Sequence, residues 1–278
     1  MPSANDRWRL ALDDWRIPPN ILAAAPESPW EFPVGLFEKR ADDARAHWTP
    51  SNAAALEALP EHGSVLDVGC GGGAASLPLV PRAGRLIGVD SSARLLGEFR
   101  RRSERLADET EAIEGSWPEV EGSVEVADVV VCHNVAYNVP DLAGFAQALT
   151  RHARRRIVLE LTLRHPSSDL NTLWRRFHDL KRPEHPDADD AQAVLKEAGL
   201  TVRREDWQPA ESEVGLDRKE MVAWTRRRLC LTPERDAEID DALSDRLNVD
   251  ESAFGLPPRP MVTLYWDALP STDLRNAA

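Results

Sequence analysis

The chain has 278 residues, of which 42% are hydrophobic and 29% are charged, a composition typical of a globular protein. Its 34 basic and 47 acidic residues give a net charge of −13. That balance argues against a large nucleic-acid footprint, which requires clustered positive charge. No apolar run reaches the length of a membrane span, and the three widely spaced cysteines match neither a disulfide framework nor a metal-ligand motif.

Residues 1–62 precede the first predicted strand and should form a helical, proline-rich extension. The first ten of them contain no apolar signal segment, so we expect a cytoplasmic protein. An amphipathic helix should end before Pro18, because prolines interrupt helices. Trp30 and Phe32 lie between closely spaced prolines, which predicts either a stiff flap over a cofactor or an anchor for the N-terminus. A capped helix is expected at 51–59.

The stretch from Val65 to Asp90 is the most informative in the chain. An apolar strand runs into a glycine-rich loop, a helix is predicted over 74–80, and a second apolar strand ends on Asp90. Glycines let the backbone lie close to a ligand, and a helix start presents free N–H groups to it. An acid at a strand end can accept hydrogen bonds from both hydroxyls of a ribose, so we predict a pocket for a nucleoside-containing cofactor. The loop glycines assigned to this pocket are Gly69, Gly71 and Gly73.

The glycine spacing by itself also fits a dinucleotide, so a second feature is needed to choose the cofactor. Asp67 lies two residues before the first loop glycine, where a pyrophosphate would meet a negative charge that an ammonium group would tolerate. The run Asp67-Val-Gly-Cys-Gly71 resembles motif I of the class I S-adenosylmethionine-dependent methyltransferases, and Asp90 resembles their motif II acid. This resemblance covers residues 60–165 and implies S-adenosylmethionine as the cofactor. Asp67 would then anchor the loop or reach the ammonium group of the cofactor.

The resemblance implies further cofactor contacts. Asp90 would hold the ribose hydroxyls, with Ser91 beside it. The adenine would lie near Ser116 and Trp117, after the third strand, although this chain has a serine where many relatives have an acid. Trp117 either stacks on the adenine or belongs to the core. Arg40, in the N-terminal segment, could pair with the cofactor carboxylate.

Strands alternate with helices beyond the first strand, which predicts parallel βαβ units with helices on both faces. The predicted strands are 64–69, 85–90, 110–115, 126–133, 155–163, 201–207 and 260–266. The predicted helices are 74–80, 92–107, 140–152, an amphipathic stretch within 165–181, 189–198, 221–229 and 233–247.

These elements predict an α/β fold with a doubly wound, seven-stranded, mostly parallel sheet. The resemblance implies that the last strand is antiparallel. We expect the catalytic domain at 63–270, preceded by the N-terminal helical extension. A helical insertion is predicted at about 210–255, between strands 6 and 7, and a flexible tail at 271–278.

The carboxyl end of the fourth predicted strand carries the main catalytic candidates, because ligands of a doubly wound sheet bind at that edge. His133, Asn134 and Tyr137 should lie where the methyl group emerges. His133 is the candidate base, since histidines titrate near neutrality; the alternative is that it packs near the cofactor. A second candidate group includes Glu160 and His165, which flank the end of the fifth strand. Its other members are Trp174, His178 and Asp179.

A metal site is not predicted. His178, Asp179 and His185 lie in one region of the sequence, but their spacing matches no standard metal site.

The sequence therefore predicts a methyltransferase that acts on a small molecule, with no nucleic-acid or membrane partner and with a homodimer left open. Arginine runs at 100–102, 154–156 and 226–228, together with the late insertion, keep RNA or protein open as acceptors. A non-catalytic protein that only binds S-adenosylmethionine would carry the same cofactor motifs.

Overall fold

One seven-stranded sheet forms the centre of the computed structural model, which describes residues 2–30, 44, 48–209, 217–244 and 259–268. The strands are β1 (Gly63–Val68), β2 (Ala83–Asp90), β3 (Glu109–Glu114), β4 (Ala127–His133), β5 (Ala153–Thr162), β6 (Arg203–Trp207) and β7 (Met261–Asp267). Their order is β3-β2-β1-β4-β5-β7-β6. β7 is antiparallel to β5 and β6, and the ladders among β1 to β5 are parallel. The predicted fold class is confirmed.

Helices cover both faces of this sheet. The α-helices of the described residues are α1 (Ala4–Asp13), α2 (Pro19–Ala23), α3 (Pro50–Ala58), α4 (Ala93–Ser103), α5 (Leu142–Arg151), α6 (Asn171–His178), α7 (Ala188–Glu197), α8 (Arg218–Arg228) and α9 (Asp236–Ser244). One core packs α1, α5 and α7 on the sheet, and the other packs α3 and α4 on the opposite face. Among the described residues, no helix is long and apolar enough to cross a bilayer.

The segment after the glycine loop differs from the prediction. Residues 74–80 form turns and a single 3-10 turn at Leu77–Leu79, so the expected α-helix is wrong. Pro78 lacks the N–H group that a helix interior uses. Pro81 disfavours helical geometry at Val80, the residue before it. The two prolines therefore prevent the helix that the small residues 74–76 suggested.

Residues 217–244 of the predicted insertion contain the two helices α8 and α9. Together with α6 they bury a third hydrophobic cluster, which includes Trp174 and also Ile17 from the N-terminal extension. An ion pair of 3.1 Å between Arg226 and Glu27 joins the same two parts of the chain. The described part of the insertion therefore packs with α6 and with residues 17–27 of the N-terminal extension. The predicted tail lies outside the described residues.

Helix α1 packs on the sheet domain beside α5 and α7. The Trp8 indole N–H donates to the Val139 carbonyl at 2.8 Å, and its ring stacks on Tyr137 with the centroids 5.6 Å apart. The Ala4 N–H, at the helix start, donates to Glu197 at 2.9 Å. This part of the extension anchors the N-terminus to the core. The predicted flap falls mostly outside the described residues, Phe32 included.

Candidate active site

The loop after β1 folds tightly against the end of β2. The N–H groups of Gly69 and Cys70 both donate to the Val89 carbonyl, at 2.8 and 3.0 Å. Gly69 has a φ of +73°, and a Cβ at this position would lie 2.4 Å from Cγ2 of Val135. A side chain at Gly69 would therefore displace the loop that follows β4. Positive φ angles also occur at Gly71 and Gly73.

Asp90 connects the glycine loop to the start of α4. One carboxylate oxygen accepts from the Gly71 N–H at 2.9 Å, and the other accepts from the Ser92 N–H at 2.8 Å. Each carboxylate oxygen has two lone pairs, so Asp90 can still accept hydrogen bonds from a ribose. Ser91 lies exposed beside it. The half-buried carboxylate is thus fixed in place and keeps unused acceptor capacity.

Asp67, at the end of β1, is a buried carboxylate with one unused oxygen. The Ser76 hydroxyl donates to its Oδ2 at 2.6 Å, whereas Oδ1 is buried and has no hydrogen-bond partner in the described part of the chain. Burial raises the pKa of Asp67 to about 6, although the Ser76 hydrogen bond and nearby His133 oppose that rise. A cationic donor placed at Oδ1 would satisfy the orphan oxygen and stabilise the charged form.

His133 and Glu160 face each other at the ends of β4 and β5. They are register partners, with His133 Nδ1 and Glu160 Oε1 3.6 Å apart. The side chain of His133 is 13% exposed, and Glu160 is 5% exposed. His133 Nε2 and Glu160 Oε2 are buried without a partner among the residues described. Next to them, Asn134 is exposed with a φ of +60°, and its N–H donates to the Glu160 carbonyl.

Asp67, His133 and Glu160 lie on one face of the sheet, and we call them the polar row. Asp67 is the register partner of Val131, and His133 follows two residues later on the same face of β4. The core on this face contains Val131 and the side chains of α3 and α4. The polar row therefore crosses β1, β4 and β5 at their carboxyl ends, where a doubly wound sheet binds its ligands.

Comparison with protein families identifies the domain around this site. A family model described as a methyltransferase domain matches residues 40–205, more than half of the chain. The chain belongs to the methyltransferase-domain family. It is an S-adenosylmethionine-dependent methyltransferase, as the resemblance implied. The orphan oxygen of Asp67 and the glycine loop fit the ammonium group and the ribose of that cofactor.

Solved structures share the fold of this methyltransferase at low sequence identity. The YcgJ protein from Bacillus subtilis is 16% identical with a TM-score of 0.50, and the alignment covers 78% of this chain and 97% of that one. A Galdieria sulphuraria protein, provisionally described as a sarcosine dimethylglycine methyltransferase, is 14% identical with a TM-score of 0.51, covering 96% and 98%. No curated protein sequence matches significantly.

Tyr137 is not placed for catalysis in this methyltransferase. Its hydroxyl donates to the Thr162 carbonyl at 2.8 Å, and its ring packs between Trp8 and His165. Burial raises the pKa of the Tyr137 phenol. The tyrosine fastens the loop after β4 to the end of β5, on the α1 side of the sheet.

His165 is likewise separate from the polar row. Its ring stacks on Trp15 with the centroids 3.9 Å apart. Burial, with the charges of Arg182 and Arg259 nearby, lowers the pKa of His165 to about 3. His165 is therefore a neutral packing residue, and of the second candidate group only Glu160 joins the site.

The two residues predicted to contact the adenine, Ser116 and Trp117, lie in different environments. Ser116 is exposed after β3 and is free to meet a ligand. The Trp117 ring packs edge-on against His152 at 4.7 Å and lies beside the main core, which favours the core role that the sequence left open. Arg40 lies outside the described residues.

The residues considered as metal ligands do not come together. His178 contacts the Leu229 carbonyl at 2.6 Å through Nε2. The described residues instead bring His185 close to Asp187 and Asp190, but both carboxylates cap the start of α7. This cluster of one exposed histidine and two half-buried aspartates therefore has a structural role.

Ser76 was missed by the sequence analysis. It binds Asp67 from nine positions further along the chain, and the glycine motif does not include this spacing. The turns that replace the expected helix bring its hydroxyl to the end of β1.

Proposed function

We propose that this methyltransferase acts on a small-molecule acceptor, with Asp67, Asp90 and the loop glycines holding the donor. Asp67 Oδ1 would accept from the cofactor ammonium group, and Asp90 would accept from the ribose hydroxyls beside Ser91. S-adenosylmethionine supplies a methyl group already activated on a sulfonium. The protein therefore has mainly to position the acceptor in line with that methyl group.

Ion pairs within the molecule support a small-molecule acceptor over RNA. Each of the three arginine runs has members in such pairs, so these charges are partly neutralised and contribute less to binding RNA phosphates. The net charge of −13 adds electrostatic repulsion of the RNA phosphates. The pairs join Arg101 and Arg102 to Glu98, Arg156 to Glu57 and Asp267, and Arg226 and Arg227 to Glu27.

Asp90→Ala should weaken binding of S-adenosylmethionine by about 100-fold, because hydrogen bonds to a charged acceptor contribute roughly 1.5–3 kcal/mol each. Isothermal titration calorimetry measures the change. Asp108→Ala is the matched control, since Asp108 is an exposed acid remote from the loop. Equal affinity of wild type and Asp90→Ala would remove the proposed donor site.

The acceptor class can be tested with methyl-labelled S-adenosylmethionine and a cell extract divided into small-molecule, protein and RNA fractions. Label in a small molecule supports the proposal. Label in protein or RNA supports a macromolecular acceptor instead. Tight donor binding with no label in any fraction would indicate a protein that binds the cofactor without transferring the methyl group.

A further inference from the structure

Glu160 has acceptor capacity that its neighbours do not use. It is 5% exposed, and its Oε2 atom is buried with no hydrogen-bond partner in the described residues. Within that part of the chain its Oε1 atom lies 3.6 Å from His133 Nδ1, a contact that is an ion pair only when the imidazole is protonated. A buried carboxylate without full pairing is costly. A bound cation that donates hydrogen bonds would remove this cost.

The position of Glu160 assigns that cation to the acceptor. Glu160 on β5 lies two strands across from Asp67 on β1 and two residues further along, so their backbones are roughly 12 Å apart at the usual strand spacing and rise. The ammonium group of the donor is already assigned to Asp67, and a sulfonium has no N–H or O–H to donate. His133 lies between the two acids. A second ammonium group, carried by the acceptor, therefore fits at Glu160.

We propose that the acceptor is an amine, with Glu160 binding its ammonium form and His133 accepting the proton that must leave before transfer. This inference rests on the proposed function and names the acceptor class for that same site. An amine and two acids have complementary charge. Oxygen and sulfur nucleophiles become anions when activated, and Asp67 and Glu160 would repel them.

The amine, His133, Glu160 and the bound methyl donor account for every proton and bond in the reaction. The ammonium nitrogen gives one proton to neutral His133, through the unpartnered Nε2, and so exposes its lone pair. That nitrogen then forms the new bond to the methyl carbon, while the carbon–sulfur bond breaks and its electron pair stays on sulfur. The methylated product is again an ammonium ion paired with Glu160. His133 releases its proton to solvent when the product leaves the site.

The nature of the labelled product tests this proposal directly. The small-molecule extract is separated by ion exchange into cationic, neutral and anionic fractions, and each is incubated with the enzyme and methyl-labelled S-adenosylmethionine. We expect label in the cationic fraction, and mass spectrometry should place the methyl group on nitrogen. A product methylated on oxygen, sulfur or carbon would overturn the amine assignment while leaving the methyltransferase function intact.

Glu160→Gln tests the role of the carboxylate with little change in shape. The KM for the amine should rise by about 10- to 100-fold, the loss expected for hydrogen bonds to a charged partner, while the calorimetric Kd for S-adenosylmethionine stays within about twofold. Glu205→Gln is the control, because Glu205 is exposed on the edge strand β6. His133→Ala should lower kcat instead.

The amine proposal and the proposed donor site can fail separately, and two outcomes distinguish them. An unchanged amine KM in Glu160→Gln would refute the recognition role of Glu160. If neither the wild type nor any variant binds S-adenosylmethionine, the proposed donor site fails before the acceptor is in question.

Discussion

At the scale of single residues, the site is built from acids whose oxygens the protein leaves partly unpaired. Asp67 and Glu160 each keep one buried oxygen without a partner in the described residues. A ligand that donates hydrogen bonds can satisfy both of these oxygens. The sequence located Asp67 through its motif. It placed Glu160 near the carboxyl ends of the strands, where ligands bind, but the contact with His133 depends on the register of β4 and β5.

The raised pKa of Asp67 predicts a pH dependence of donor binding. Burial lifts this pKa from 3.8 to about 6, and an ammonium ligand favours the ionised carboxylate. Calorimetry should therefore show affinity for S-adenosylmethionine rising about tenfold between about pH 5 and 7, where the α-amino group of the ligand stays protonated. Asp67→Asn should bind weakly and lose most of this dependence, while Asp108→Asn should keep it. A wild-type affinity that is flat over this range would contradict the role of Asp67.

The same pKa shift affects the free protein with the opposite sign. Because the folded state holds the Asp67 proton more strongly than the unfolded state does, the contribution of this group to stability falls as pH rises from about 3.8 through 6. Bound donor should offset that loss above about pH 6.

At the scale of elements, the glycine loop is fixed by close packing between strands. Gly69 adopts a φ that L-residues rarely adopt, and its Cα faces Val135. The sequence predicted the loop from its glycines. It did not reveal that Val135, in the loop after β4, packs against Gly69. The two residues are 66 positions apart and meet only through the pairing of β1 with β4.

Gly69→Ala should destabilise the protein by about 2–4 kcal/mol, from backbone strain and overpacking together, as measured by urea denaturation. Gly97→Ala is the matched control, because Gly97 lies in α4 with open space around it. That change should be neutral or stabilising by up to about 1 kcal/mol. Adding Val135→Ala to Gly69→Ala should restore part of the loss; no restoration would contradict the steric cause.

At the scale of the whole molecule, the described start of the N-terminal extension, residues 2–30, packs on the rest of the protein. Trp8 is 1% exposed and binds the segment before α5, and Glu27 pairs with α8. The sequence left open whether Trp30 and Phe32 cover the cofactor or anchor the chain. That alternative stays a prediction, because Trp30 is 54% exposed and Phe32 lies outside the described residues. Nearer the N-terminus, Trp8 and Trp15 serve as anchors, since each indole N–H donates to a distant carbonyl.

Trp8→Ala should lower the free energy of unfolding by about 3–5 kcal/mol, the usual cost of removing a buried tryptophan. Trp48→Ala, at a side chain that is 58% exposed, should change it by less than about 0.5 kcal/mol. Urea denaturation followed by circular dichroism measures both. If Trp8→Ala unfolds at the wild-type midpoint, α1 is not part of the cooperative unit.

The sequence alone determined the sheet, the cofactor class and the acids at the ends of β1 and β2, because strand periodicity and the glycine motif are local signals. It could not show that Tyr137 binds Thr162 or that Ser76 reaches Asp67. The turns at 74–80, by contrast, follow from Pro78 and Pro81, a local signal that the helix prediction overlooked. The tertiary structure decided the contacts of Tyr137 and Ser76, and it also aligned His133 with Glu160. Contacts between residues far apart in the chain follow from register and packing, and neither leaves a pattern in neighbouring residues.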